Sequence, residues 1–173
     1  IDPVIAIQDI SLSVNSDGTL TITGEEFDNG STDNCSLNWS VDIDSFTCAD
    51  LGENTIEVTL TDDSGNSSRQ TATLTIVDNV GPSIVAQAIS LTLNAAGEAS
   101  LLAEDLDNGS IDNCSSTVTF AVDQESFTCA DLGENEVQFT VTDASGNSST
   151  ETVIVTVLDD EAPKAEFQIS ITV

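Results

Sequence analysis

The chain has 173 residues, of which 31 are acidic and 2 basic, giving a formal net charge of −29. That balance excludes DNA, RNA and anionic membranes as partners, because each demands Lys and Arg. His is absent and aromatic residues make up 4% of the chain, which removes the commonest acid–base catalyst and most of the setting of a glycoside-cleaving carboxylate pair, so an enzyme is not expected.

Taken from the N-terminus, apolar residues recur at every second position, with Ser and Thr between them. The first series is Leu12/Val14, Leu20/Ile22, Leu37/Trp39/Val41, Ile56/Val58/Leu60 and Leu74/Ile76. The second is Ile89/Leu91/Leu93, Leu101, Val118/Phe120/Val122, Val137/Phe139/Val141 and Val153/Val155/Val157. Such alternation marks strands with one buried face. Clusters of Gly, Asn and Asp separate them at the spacing of a β-sandwich, and helical periodicity is missing. Trp39 aligns with Phe120 among apolar neighbours and is expected in the core; the other reading is a sugar-stacking platform.

The two series are copies of one unit. "DNGSTDNCS" (28–36) returns as "DNGSIDNCS" (107–115), "SFTCADLGEN" (45–54) recurs at 126–135, and "SGNSS" (64–68) recurs at 145–149. Pro3, Pro82 and Pro163 open three versions of the same segment, so the period is 79 to 81 residues. The expected fold class is all-β: two tandem immunoglobulin-like β-sandwiches of about seven strands each, plus the first strand of a third repeat. The expected domains are 1–80, 81–161 and a truncated 162–173, cut from a longer array. No signal peptide and no run of roughly eighteen apolar residues is present, which fits a mature or excised fragment without membrane insertion.

Each repeat carries two cysteines, and the simplest pairing is Cys35 with Cys48 and Cys114 with Cys129. Zinc needs four Cys or His ligands, and redox catalysis favours a C-x-x-C spacing that does not occur here. Structural disulfides in an oxidising, extracellular setting are the expectation.

The acids gather in loops rather than on outward strand positions. The first long strand of a repeat runs away from its starting end and the second returns, so the loop after the second strand, the last hairpin turn and the linker from the preceding repeat share one end. Asp78 and Asn79 of "VDNVGP" should therefore lie near Asp107, Asp112 and Asp143, and Asp28, Asp33 and Asp62 are the counterparts in the first copy. Two carboxylates 5 Å apart repel by ~3 kcal/mol at an effective dielectric of 20. With no Lys or Arg nearby, a hard divalent cation is the natural answer. Ca²⁺ takes six to eight oxygen ligands of this kind, and these eight residues are its candidate ligands. For any single loop, the alternative is ordinary Asp/Asn turn chemistry. The "DNGSxDN" run lacks the alternating ligands and terminal Glu of an EF-hand.

"DNC" before a strand, "TDASGNSS" before "TVIVTV" and the "VDN..P" boundary resemble the hyalin-repeat (HYR-like) immunoglobulin-type modules. Together with "SFTCADLGEN", they look like the tandem repeats of very large surface proteins of gliding, flavobacterial-type bacteria. The resemblance implies a secreted, cell-surface adhesin stalk whose partners are neighbouring repeats of the same chain. Hyalin repeats often place a Cys after "SGN", which this chain does not, so their disulfide topology is not carried over. The rival function is a module that binds a surface glycan or protein. A glycosidase using two loop acids is the third reading and requires a cleft and a carboxylate with a raised pKa.

Overall fold

The computed structural model describes residues 1–161; the expected third repeat, 162–173, lies outside them. Period-two alternation becomes strand in both copies. In β5 (Gly52–Asp62), Ile56, Val58 and Leu60 are completely buried, while Glu57, Thr59 and Thr61 between them stay partly exposed. β6 (Ser67–Val77) returns antiparallel to β5 and buries Ala72, Leu74 and Ile76. The turn between them uses Gly65 at φ 87°, a left-handed conformation that favours glycine.

Around this hairpin stand β1 (Ile10–Ser13) and β3 (Leu37–Val41), giving a four-stranded sheet in the order β1-β6-β5-β3, with β1 parallel to β6. The second layer is the antiparallel pair β2 (Thr19–Thr21) and β4 (Ser45–Thr47). Its Phe46 joins Ile22 and Phe27 to meet Ile56, Val58 and Leu74 in one core. Phe27 comes from a 3-10 turn, Gly24–Phe27, that folds the acidic loop back over the sheets. Trp39 is half-buried and packs against this core, as expected of a third-strand aromatic. Two facing layers with these connections form an immunoglobulin-like β-sandwich. Six strands form where about seven were expected, because the segment before β1 makes only the isolated bridges Val4↔Thr32 and Ile7↔Asp28 in place of a continuous strand ladder.

The second sandwich repeats the plan. β7 (Ile89–Thr92), β12 (Ser148–Leu158), β11 (Gly133–Thr142) and β9 (Thr119–Val122) form a sheet in the order β7-β12-β11-β9. β8 (Glu98–Ser100) pairs with β10 (Ser126–Thr128). Leu106, Phe127, Val137, Phe139 and Val155 are fully buried at its centre, and Phe120 stacks on Phe139 with ring centroids 5.7 Å apart.

The compact units do not coincide with the sequence repeats. The first comprises Ile1–Pro82 together with Asp112–Thr117 and Asp143–Asn147. Among the described residues, the second comprises Ser83–Ile111, Val118–Thr142 and 148–161. Two loops of the second copy thus belong to the first unit.

Candidate metal centre

The alternation that builds the core also carries carboxylates inward at strand ends. After Ala72, Leu74 and Ile76, the next inward position is Asp78, which is 6% exposed. After Val137, Phe139 and Val141 it is Asp143, which is 7% exposed. Asp78 and Asp143 meet Asp112, from the loop that also carries Cys114, within the first compact unit. One carboxylate oxygen from each lies within 4.8 Å of the other two.

The hydrogen bonds around the group hold it in place without neutralising it. The Asn147 N–H donates to Asp143 Oδ1 at 2.7 Å, and its side-chain amide donates to Asp143 Oδ2 at 2.9 Å and to the Asp78 carbonyl oxygen at 3.0 Å. Val80 N–H donates to Asp78 Oδ1 at 3.1 Å, and the Ser145 hydroxyl donates to Asp78 Oδ2 at 3.4 Å. Asp112 Oδ2 accepts the N–H groups of Cys114 and Ser115 at 2.9 and 2.8 Å. Asp112 Oδ1 is buried with no hydrogen-bond partner, as is the neighbouring Asn113 Oδ1. Three carboxylates at this spacing repel by about 3 kcal/mol per pair at an effective dielectric of 20. Arg69 pairs instead with Glu57, at 3.0 Å on the outside of the β5–β6 hairpin. A cluster of hard oxygens with a buried lone pair left over can hold a cation of the calcium type.

The structure brings together three of the eight candidate ligands. Asn79 is exposed and lines an open recess of about 330 Å³ with Asp78, Ile76 and Ser145. The remaining four carboxylates serve local turns. Asp62 occupies the inward position after Leu60 and accepts from Ser64 N–H, Asn66 N–H and the Asn66 side chain at 2.8, 2.8 and 2.7 Å. The Asn66 side chain chiefly, with these amides, holds its carboxyl below the usual range against an opposing effect of burial. Asp28 accepts from Ser31 N–H at 2.9 Å, a bond that lowers its pKa. Asp33 accepts from Cys35 N–H at 2.9 Å. At Asp107 burial pushes upward, but the Ser110 hydroxyl and N–H and the Gly109 N–H outweigh it and the pKa is lowered.

The cysteine pairing corrects the expectation. Cys48 is bonded to Cys114, and Cys35 and Cys129 are free and exposed. Strand register explains why Cys35 and Cys48 do not meet. Cys35 lies just before Leu37, which is opposite Asp62 at the end of β5. Cys48 follows β4 beside the start of β5, where Gly52 is opposite Ile76. The length of β5, on the order of 30 Å, separates those positions, whereas a disulfide needs Cα atoms within about 7 Å. Cys114 is the thiol in reach because its loop belongs to the first unit and packs on that core. Gly18, at φ 71°, makes the room: a Cβ there would sit 2.7 Å from Cys48 Sγ and 3.0 Å from the Asn113 carbonyl oxygen.

No protein-family model matches the chain, and no curated protein does. Among solved structures, a three-immunoglobulin-domain fragment of titin aligns at 11% identity and a TM-score of 0.40, covering 92% of this chain and 66% of that one. The human mucin-like protocadherin fragment EC1-2 aligns at 8% identity and 0.34, covering 89% and 98%. An endo-fucoidan hydrolase of glycoside hydrolase family 107 aligns at 16% identity and 0.30; this chain covers 28% of its length with 70% of its own. At these scores none of them bears on what this chain does.

Proposed function

We propose that the chain is a non-enzymatic repeat region of a secreted, cell-surface adhesion protein, and that calcium bound by Asp78, Asp112 and Asp143 fastens the end of one repeat to two loops of the next. The unpartnered, buried Asp112 Oδ1 inside a three-carboxylate cluster carries this reading. A carboxylate oxygen without a donor, in a group without a counter-charge, is the signature of a site completed by a cation. The hyalin-repeat resemblance supports a spacer role in a stalk of the kind found in gliding bacteria, and the disulfide fits an oxidising exterior. The affinity of extracellular calcium modules is about 10⁻⁴ to 10⁻³ M.

Calorimetric titration and thermal melting, each with calcium and with chelator, test the proposal. Calcium should raise the melting temperature of the intact chain, and Asp112→Asn should abolish the rise. Identical melts with calcium and with chelator would overturn the proposal.

A further inference from the structure

The free thiols at Cys35 and Cys129 are the unused halves of a bridge the molecule already makes once. Cys129 is the repeat counterpart of Cys48. Each opens a 3-10 turn, Cys48–Asp50 or Cys129–Asp131, in which a Thr hydroxyl accepts from the Ala N–H at 3.3 Å. The turn's Asp accepts from the same Thr's N–H at 2.8 Å in both copies. Each cysteine also faces a glycine at positive φ, Gly18 or Gly97, where a Cβ would meet the sulfur at 2.7 or 2.8 Å. Cys35 is in turn the counterpart of Cys114. Both follow "DN", and both donate their N–H to the preceding Asp at 2.9 Å. The bond between Cys48 and Cys114 shows that these two local structures fit each other. It is accompanied by a hydrogen bond from the Asn113 side chain to the Asn15 carbonyl oxygen at 3.0 Å; Asn34 and Asn94 hold the matching positions in the other two half-sites.

We propose that Cys129 of one copy of this chain bonds to Cys35 of a second copy, head to tail, and that these cysteines do not pair symmetrically. With oxidised glutathione as oxidant, the Cys129 thiolate attacks the glutathione disulfide and expels one glutathione thiolate. The Cys35 thiolate of the second copy then attacks the Cys129 sulfur of the mixed disulfide and expels the other. One S–S bond breaks and one forms, and the two protein thiol protons end on two glutathione thiols. The exposure of both cysteines leaves them open to this exchange.

Cys35→Ser and Cys129→Ser forms of the full chain, whose fold is checked by circular dichroism, provide the test. In oxidised glutathione each variant alone should stay monomeric on a non-reducing gel. Their equimolar mixture should give a covalent dimer whose bridging peptide is Cys129–Cys35. In the unmutated chain that peptide should exceed either symmetric one by roughly tenfold, the factor that about 1.4 kcal/mol of matching contacts produces. Symmetric dimers as abundant as the mixed one, a bridge within one chain, or no covalent dimer in the mixture would each overturn the proposal. The readout involves no metal, so it stands or falls separately from the calcium site.

Discussion

The side-chain amide of Asn147 spends both its hydrogens on the candidate metal centre, donating to the Asp78 carbonyl at 3.0 Å and to Asp143 Oδ2 at 2.9 Å. Its repeat counterpart, Asn66, makes the matching bond to Asp62 at 2.7 Å. Asn66→Ala and Asn147→Ala should each cost about 1.5–3 kcal/mol for the charge-assisted bond. Only Asn147→Ala should also weaken calcium binding, because it frees Asp78 from Asp143. Titration calorimetry on both variants separates the two effects; equal calcium affinities would break the link drawn between Asn147 and the ion.

The Cys48–Cys114 bond closes a segment with a sequence separation of 66. In the chain-entropy picture a loop of that size contributes about 4 kcal/mol. Replacing both cysteines by Ala should shift the denaturant midpoint of the first unit down accordingly. Replacing Cys35 and Cys129 by Ala should leave the intact chain within about 0.5 kcal/mol of its parent, as for other exposed positions. A bridge-free variant that melts with its parent would mean that the bond does not form.

Acid should remove the contribution of Asp62. Its folded pKa lies below the unfolded value of about 3.9, chiefly through the Asn66 side chain. The stabilisation is therefore fully present above that pH and is lost as the pH falls through the lower folded value. Asp62→Asn should be less stable than the parent at neutral pH, by a margin that is constant down to about pH 5 and shrinks below about pH 4. Denaturant melts across that range measure it; a margin unchanged at pH 2 would assign the effect to packing instead.

Gly18 and Gly97 form a matched pair, with φ of 71° and 77°. Alanine in a left-handed conformation costs about 1–2 kcal/mol, which Gly97→Ala should show, since the free Cys129 side chain it meets can rotate away. At Gly18 the obstacle is a bonded sulfur and the Asn113 carbonyl. Gly18→Ala should therefore cost more and slow formation of the Cys48–Cys114 bond. Thiol trapping during refolding of the two variants compares them directly.

Much of this was legible in the sequence, because Ile56, Val58 and Leu60 or Val137, Phe139 and Val141 leave no doubt which face is buried. The same alternation, followed one step further, places Asp62, Asp78 and Asp143 inward. Reading Asp78 as a linker residue and Asp143 as a turn residue located the centre but concealed that β6 and β11 aim these two into it. Phe27 and Leu106 were hidden inside acid-rich loops, and Phe46 and Phe127 inside strands of three residues, too short for periodicity to register. The pairing of Cys35 with Cys48 and of Cys114 with Cys129 closes each repeat on itself, whereas the bond formed joins Cys48 to Cys114. Strand direction already put Cys35 and Cys48 at opposite ends of the first sandwich; what no spacing could reveal was that Asp112–Thr117 belongs to the first unit.

The bond between Cys48 and Cys114 also decides where mechanical load travels. If the chain is pulled from outside these two residues, tension passes from sulfur to sulfur and skips β5, β6, β7 and β8, which all lie between them. Stretched out, that bypassed segment would span roughly 220 Å. Until the bond is reduced, none of that length can be drawn out, and the long β5–β6 hairpin feels no direct pull.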